Sequence, residues 1–511
     1  MVVQGERLYH QGLVAGGFAF VSFGWDAGVL GGVLLTPEFQ ESMGYPDTTT
    51  VSMITSVFLL ASWLGCIIIS LFGMKLGRRV WIIIGAVLQI LGSIICVASY
   101  GYGQLIAGRV VIGVGNGFCT SMVPVYVAEM AVRKERRGQG VNLMIAMATV
   151  GVAIAYWVDF GMVFAHGTTA VWRFPVAFQI VWSLLCIATF WPMPDTARWH
   201  YATGNTEEGD RILQRMYNAA LTDNAVETSK KDILASLELE KTATAKLRVK
   251  DFFYDTSDLQ AARRIRTGVL LVAIAYLMGI NVIFYYTTVI FQSYIGLKAL
   301  TASGLSGALN TVLVVANMLG VIFMEKFKRR TWLLAGSAGQ SVFMAVFVGL
   351  LSTPGPKTGA AAAAMLFCWV VFFGPTWGPV TYVYSSDIMP LRYRHIGFSL
   401  SVSAQWLMAF VTVFAGPIAI ADTNVGWKTW IWFLVFNVIA FPYVYFCCPE
   451  TRGRTLEEID LIFMSDNIRG TAAAKQLEHQ YSSDPSTENV DSLQEKGAVA
   501  TETKAEEKEA A

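Results

Sequence analysis

The chain has 511 residues, of which 54% are hydrophobic and 15% are charged, and its formal net charge is +1. Soluble domains carry roughly 25% charged residues, so this composition favours an integral membrane protein over a soluble one. A net charge near zero argues against nucleic acid as a partner.

Runs of about twenty apolar residues, the length that crosses ~30 Å of hydrocarbon, recur along the chain. They predict transmembrane spans at 12–35, 52–73, 80–99, 104–130, 141–163 and 173–192, and again at 267–294, 304–325, 331–351, 361–385, 396–420 and 428–448. The first run is long and many others follow it, so we expect it to stay in the membrane and not to act as a signal peptide.

Two sets of six spans divide the chain into regions. We expect a cytoplasmic N-terminus at 1–11, a six-helix bundle at 12–192, a cytoplasmic central loop at 193–266, a second bundle at 267–448 and a mostly disordered cytoplasmic tail at 449–511. The central loop contains amphipathic helical patches such as Thr206–Tyr217. Because a 6 + 6 arrangement is typical of two facing bundles, the predicted fold is all-α, with twelve transmembrane helices.

The distribution of lysine and arginine predicts the orientation of these spans. Basic residues cluster after spans 2, 4, 8 and 10, whereas the alternate loops carry at most one each. Basic loops stay on the cytoplasmic side, so we expect both termini to be cytoplasmic. The expected location is the plasma membrane. The clustered residues are Lys75, Arg78, Arg79, Arg133, Lys134, Arg136, Arg137, Lys326, Lys328, Arg329, Arg330, Arg392 and Arg394.

Predicted span 1 contains the charged residue Asp26, and predicted span 4 contains Arg109. A charge at mid-membrane costs about 2.5–3.5 kcal/mol, which is best explained if the two residues are partners across the bundle. One interpretation is a fixed structural ion pair. We favour a protonation switch, in which protonation of Asp26 releases Arg109 and couples proton binding to solute binding.

An acidic residue followed by arginine recurs at matching places in the two halves, after spans 4 and 10. We expect acid–arginine pairs at these span ends to latch the cytoplasmic side and to break when it opens. The alternative is ordinary positive-inside charge with neutralising acids. The predicted gating residues are Glu129, Arg136, Arg137, Asp387, Arg394, Arg78 and Arg329.

Polar and aromatic residues in the second half are candidates for contact with a polar, uncharged solute. An amide such as Gln405 can bridge two hydroxyls, and the indole of Trp406 can stack on a sugar ring. Gln405 is the least easily explained as packing, because an amide that faces lipid is costly. The predicted solute-binding residues are Gln405, Trp406, Asn281, Tyr285 and Tyr382.

Two Gly-Pro steps, at 374–375 and 378–379, predict a broken helix in span 10. Broken helices inside a membrane line cavities or serve as hinges.

An enzyme is not expected. The five histidines lie outside the spans or at their edges, and the seven cysteines show neither metal-ligand spacing nor a disulfide pattern. We therefore expect no catalytic residue, metal or cofactor. The expected partners are a small sugar-like solute, protons and the lipid bilayer.

With these residues, the sequence resembles the sugar porter family of the major facilitator superfamily, in particular its fungal members, over about 12–460. The match is most specific at 449–458, which reads PETRGRTLEE where the family has PETKGxTLEE. Further matching segments, in the family's order, are 108–115, 194–199, 378–394 and 405–406.

The resemblance implies transport of hexoses, pentoses or polyols by alternating access, either by proton symport or by facilitated diffusion. It also places Asp26 and Arg109 on the proton-coupling pair, and Gln405, Trp406 and Asn281 on sugar-contacting positions. We expect proton-coupled symport of a monosaccharide or related solute. The alternatives are a facilitative uniporter, a sugar-acid transporter and a non-transporting sugar sensor on the same scaffold.

Several positions depart from the family pattern. Ala275 and Tyr276 replace a glutamine pair in span 7, and Tyr382 replaces a tryptophan in span 10. Ile145 and Val152 stand where span 5 usually supplies glutamine. Each lost amide removes a hydrogen-bonding partner worth about 0.5–1.5 kcal/mol. The departures favour a solute with fewer hydroxyls, a more apolar solute or a sugar acid.

Overall fold

The structure, a computed structural model, is nearly all helical in the part of the chain that it describes. The described residues are 4–132, 134–165, 167–244, 260–323, 326–353, 355–389, 394–452, 459, 462 and 463. Within them, twelve helical segments are long and apolar enough to cross a membrane. Most of the tail predicted to be disordered, and all of it beyond 463, lies outside the described residues.

The described chain forms two compact units. Met1–Leu247 and Ile265–Arg452 make up the first unit, which holds the two sets of six spans. The second unit consists of Arg248–Arg264 and Gly453–Ala511. In its described part, the guanidinium of Arg264 lies 5.1 Å above the ring of Phe463.

Both sets of spans are present where the hydropathy pattern predicts them. Spans 1 to 6 are the helices Glu6–Val33, Thr48–Phe72, Arg78–Val97, Tyr102–Met130, Lys134–Met162 and Ala170–Phe190. Spans 7 to 12 are Ala261–Leu277 with Ile280–Val289, Ala299–Phe323, Arg329–Leu351, Pro356–Phe373 with Trp377–Asp387, Arg394–Ala421 and Thr429–Cys447. The α-helices outside the spans are Pro37–Ser42, Ala197–Ala202, Thr206–Tyr217 and Asn224–Thr244 among the described residues. The chain is thus an integral membrane protein with twelve transmembrane helices.

Spans 1 and 7 each begin about six residues before their predicted starts. Residues 6–11 of span 1 are mostly polar, yet Leu8 and Tyr9 there are buried. A hydropathy window registers only the apolar part of a helix, so the polar first turns outside the hydrocarbon are missed.

The predicted break in span 10 is present at 374–376, and span 7 is broken as well, at Gly279. Gly279 has φ 108°, a left-handed conformation that side chains disfavour. The amide of Asn437 donates to the freed carbonyl of Met278 at 3.0 Å. The indole of Trp332 donates to the carbonyl of Pro375 at 2.5 Å. At each break, one backbone carbonyl therefore accepts a hydrogen bond from the side chain of another span, as hydrocarbon favours.

Spans 1 and 5 cross with their backbones in close contact. A Cβ added to Gly24 would overlap the carbonyl of Ala148, and a Cβ on Gly151 would overlap the carbonyl of Val21. Small residues at such crossings let two membrane helices pack by van der Waals contact and backbone approach.

Gly151→Ala should therefore destabilise the first half by about 1–3 kcal/mol through overpacking. The expected result is a lower thermal midpoint for the purified protein, measured with a thiol-reactive dye. Gly161→Ala is the matched control, because a Cβ on Gly161 of the same helix meets no atom within 4 Å. Equal midpoints for both variants would contradict the close crossing.

The two halves meet mainly along three pairs of spans, 1 with 7, 2 with 11 and 5 with 8, and spans 5 and 10 make a smaller contact. We call the face where span 1 begins and span 12 ends the terminal face, and the opposite face the far face. Near the far face, the hydroxyl of Tyr156 donates to the carbonyl of Phe284 at 2.8 Å. The indole of Trp157 donates to Thr311 at 2.9 Å. Hydrogen bonds between the halves therefore tie the far end of span 5 to spans 7 and 8.

Candidate transport site

The charged pair predicted inside the membrane is formed. Arg109 Nη1 lies 2.6 Å from Asp26 Oδ1, and the two side chains are 3% and 1% exposed. The guanidinium also donates to the carbonyls of Ile54 and Thr55, at 3.2 and 3.4 Å. It lies 4.9 Å above the ring of Phe58. One guanidinium from span 4 therefore contacts both span 1 and span 2.

Hydrogen bonds continue from this pair into the second half. The carbonyl of Thr55 accepts a hydrogen bond from Arg109. The hydroxyl of the same residue shares a hydrogen bond with the hydroxyl of Tyr286 in span 7. Tyr286 also donates to the carbonyl of Val413 in span 11, at 3.2 Å. The backbone of Tyr286 departs from helical geometry, with φ −135° and ψ 18°. The ion pair is thus connected to a distorted turn of span 7.

A cavity of about 150 Å³ lies between the two halves. Spans 1, 2, 4 and 5 line it from one side, and spans 7, 8, 10 and 11 from the other. Gly24 and Ala27 belong to its wall, so the cavity lies beside Asp26 on span 1. All five residues predicted to contact the solute line it, namely Asn281, Tyr285, Tyr382, Gln405 and Trp406.

The polar groups of the wall interact with one another. The hydroxyls of Tyr276 and Tyr382 share a hydrogen bond, and the side chain of Gln405 lies beside both tyrosines. Asn281 donates to Thr412 at 3.4 Å. Tyr276, a departure from the family pattern, therefore supplies a hydroxyl to the cavity in place of an amide.

Other departures leave apolar surface in the same wall. Ile145 and Val152 of span 5 and Ala275 of span 7 all line the cavity. Trp406 packs edge to face against Phe23 of span 1, with ring centroids 5.5 Å apart. A ligand in this cavity would meet hydroxyl and amide groups from the second half and mainly apolar side chains from span 5.

Predicted gating residues of the first half form a cluster at the terminal face. Nε and Nη2 of Arg78 each lie 3.3 Å from the carboxylate of Glu129. Thr196 donates to the same carboxylate at 2.5 Å, and Arg198 approaches it at 3.9 Å. Asp195 accepts two backbone amides from the start of span 3, at 2.9 and 3.2 Å. Burial raises the pKa of Asp195, although these amide hydrogen bonds oppose the shift.

The second half repeats this cluster. Arg329 forms an ion pair with Asp387, as Arg78 does with Glu129. Glu450 accepts the backbone amides of Arg329 and Arg330, at 3.0 and 3.1 Å.

A tyrosine hydroxyl in each half donates to a proline carbonyl that follows the last span. Tyr126 donates to Pro194, and Tyr384 donates to Pro449, both at 2.8 Å. The internal repeat seen in the charges of the sequence therefore extends to individual hydrogen bonds.

The partners of the two acids differ from the residues that follow them in sequence. The acids were expected to pair with Arg136, Arg137 and Arg394, whose side chains lie outside the description. In the described part of the chain, Glu129 and Asp387 instead pair with the arginines that begin spans 3 and 9. Both pairs join helices of the same half, so in this conformation they do not link the halves.

Asp159 is a buried acid that the sequence analysis did not single out. It lies on span 5, one helical turn beyond Tyr156, and is 3% exposed. Its position near the end of predicted span 141–163 was the available signal, because a carboxyl group inside an apolar run is costly.

The described geometry defines a class of protein, a membrane transporter of the major facilitator type, with a cavity between two six-helix bundles. Residues 14–463 match the family described as "Sugar (and other) transporter". The chain belongs to this family of sugar porters. It is a transporter and not an enzyme.

Relatives and solved structures agree with this assignment. The sugar transporter STL1 of Saccharomyces cerevisiae is 30% identical over 494 residues, which cover 93% of this chain and 84% of the relative. The high-affinity hexose transporter HXT6 of the same yeast is 29% identical, with coverage of 88% and 80%. The xylose transporter XylE from E. coli, in a partially occluded inward open conformation, superposes with a TM-score of 0.73 at 20% identity, covering 88% of this chain and 99% of XylE.

Proposed function

We propose that this protein carries a monosaccharide or a related solute across the membrane by alternating access, coupled to a proton through Asp26. The observation that carries the proposal is the buried Asp26–Arg109 pair beside the cavity. An Asp side chain binds or releases one proton, and its charge decides whether Arg109 stays in place. Thr55 and Tyr286 would pass that movement to span 7 and so to the second half.

The solute binds, in this proposal, between the two halves. Gln405 and Trp406 hold its ring, Asn281 and Tyr285 contact it from span 7, and Tyr382 contributes a hydroxyl. The match of STL1 and HXT6 to this chain supports a sugar-like solute. The apolar surface from span 5 supports one with an apolar face or fewer hydroxyls than glucose.

Both termini are assigned to the cytoplasm in this proposal, and the protein to the plasma membrane. The basic residues at the terminal face support that orientation by the positive-inside rule. In this proposal, residues 12–192 form the first six-helix bundle and residues 267–448 form the second.

An uptake panel tests the function. Labelled hexoses, pentoses, polyols and uronates should be offered to a transport-null cell that expresses the protein, with and without a proton uncoupler. We expect one solute class to accumulate above its external concentration, and the uncoupler to abolish that accumulation. Equilibration that the uncoupler does not change would instead identify a facilitative uniporter.

The acid–arginine clusters should hold the terminal face closed. Glu129→Gln and Asp387→Asn should each shift the protein toward opening at this face, by about two- to fivefold for a partly exposed ion pair. Cys448 is a native reporter, because burial raises the pKa of its thiol to about 12 and keeps it unreactive. Its labelling by a maleimide, read by mass spectrometry, should rise in both variants.

The two variants distinguish a gate from a local effect. Cys448 lies beside Tyr384 in the second half, whereas Glu129 lies in the first. An increase in Asp387→Asn alone would show only local loosening, and unchanged labelling in both would contradict the gating role.

A further inference from the structure

Asp159 has no counter-charge in the described structure. Neither of its carboxylate oxygens makes a hydrogen bond of good geometry to a described residue, and both are shielded from solvent. The carboxyl group lies against the backbone of Gly32, where a Cβ would overlap it. A buried carboxylate without a counter-charge is strongly disfavoured in its ionised form.

Cations on neighbouring helices are engaged elsewhere. Arg109 of span 4 pairs with Asp26 of span 1. Arg173 of span 6 donates to the carbonyl of Ser99 and lies over the rings of Tyr100 and Trp172. Span 8 carries no titratable residue between 299 and 323. Tyr156, one turn earlier on the same helix, is a titratable group that interacts electrostatically with Asp159.

Asp159 lies close to the place where the two halves contact each other at the far face. Tyr156 lies three residues earlier, on the same face of the helix. Its hydroxyl donates to the carbonyl of Phe284 in the second half. A Cβ on Gly31 of span 1 would meet both the Tyr156 hydroxyl and the carbonyl of Tyr285. Spans 1, 5 and 7 therefore converge within one turn of Asp159, and separation of the halves at the far face would admit water there.

We propose that Asp159 is a second proton-binding site, protonated while the far face is closed and ionised when that face opens. The inference rests on the alternating access proposed above. On opening, the O–H bond of the carboxyl group breaks and the proton passes to water, and on closing the carboxylate takes a proton back. The site thus exchanges protons directly with the solution at the far face. It lies one helical turn from Tyr156, whose hydrogen bond to Phe284 joins the two halves there.

The sign of the pH dependence follows from this difference in bound protons. The closed form holds one proton more than the open form, so raising the pH favours opening at the far face. For a single proton, each pH unit shifts the equilibrium by up to about tenfold.

Infrared spectroscopy of the purified full chain tests the protonation directly. The spectrum of the wild type minus that of Asp159→Asn should contain the C=O stretching band of a protonated carboxyl group at neutral pH. Asp47→Asn is the matched control, an exposed acid before span 2 where Asn is an equally good helix cap. Hydrogen bonds from Thr50 lower the pKa of Asp47, so its replacement should remove no such band.

Hydrogen exchange of the far-face ends of spans 1 and 5 tests the coupling to opening. Between about pH 5 and 8, the ratio of exchange in the wild type to that in Asp159→Asn should rise by up to about tenfold per unit. Asp47→Asn should behave as the wild type does.

Identical infrared spectra for the wild type and Asp159→Asn would overturn the proposal, because the carboxyl group would then be ionised. A constant exchange ratio across the pH range would overturn it too. Neither readout needs solute or net transport. A failed uptake experiment would therefore contradict the proposed function, whereas the infrared band alone decides whether Asp159 is protonated.

Discussion

The Asp26→Asn variant should carry solute down its gradient but should not concentrate it under a proton gradient. Asn cannot take up a proton, so the charge near Arg109 no longer changes during the cycle. Removal of one partner from a buried ion pair also strands the other, at a cost of about 3–5 kcal/mol. The measurement is the steady-state ratio of internal to external labelled solute, with and without an uncoupler, at equal surface abundance.

A double variant separates loss of coupling from loss of folding. Asp26→Asn with Arg109→Gln removes both charges and leaves no stranded cation beside Phe58. It should regain membrane abundance relative to the single variant, yet remain unable to accumulate solute. Asp47→Asn, at the exposed start of span 2, should transport as the wild type does. Uphill accumulation by Asp26→Asn at the wild-type level would refute the coupling role.

Gln405→Ala should weaken solute binding roughly five- to hundredfold. Loss of a neutral hydrogen bond in a desolvated site costs about 1–3 kcal/mol when its partner is stranded, and ~1.4 kcal/mol corresponds to a factor of ten. The hydroxyls of Tyr276 and Tyr382 still bond to each other in this variant, so the cavity wall should keep its shape. Competition for uptake by surface-expressed variants measures the change in affinity.

Gln340→Ala is the matched control for this variant. Gln340 is a fully buried amide of span 9 that lies outside the cavity wall. Its replacement removes the same atoms and tests whether any buried amide affects uptake. Gln340→Ala should keep the wild-type affinity, whatever its effect on stability. Equal affinities of Gln405→Ala and the wild type would place the solute site elsewhere.

Hydropathy and a few local signals predict most of this fold. All twelve spans coincide with apolar runs, because hydrocarbon excludes long polar segments. The Gly-Pro steps of span 10 predict its break, since proline removes a backbone donor. The break at Gly279 is not predicted, because glycine is common in membrane helices and the ring that a Cβ there would meet, Phe433, comes from a distant segment.

Contacts between distant segments limit what the sequence predicts of the site. Asp26 and Arg109 are predictable as partners, because two isolated charges in hydrocarbon need each other. The pairing of Glu129 with Arg78 depends on which helices are neighbours, and closeness in sequence favours other arginines. The burial of Asp159 depends on Gly32 of another span. From the sequence alone, a carboxyl group near the end of a span cannot be distinguished from one whose side chain reaches water.

The two carboxylates that follow the sixth and twelfth spans impose an order on biosynthesis. Asp195 caps the amino end of span 3 at Arg78, which is translated 117 residues earlier. Glu450 caps the amino end of span 9 at Arg329, which is translated 121 residues earlier. The first bundle can therefore be completed in the membrane before Ala261, the start of span 7, has been translated. A nascent chain that stops short of Glu450 lacks the carboxylate that pairs with the amides of Arg329 and Arg330 at the amino end of span 9.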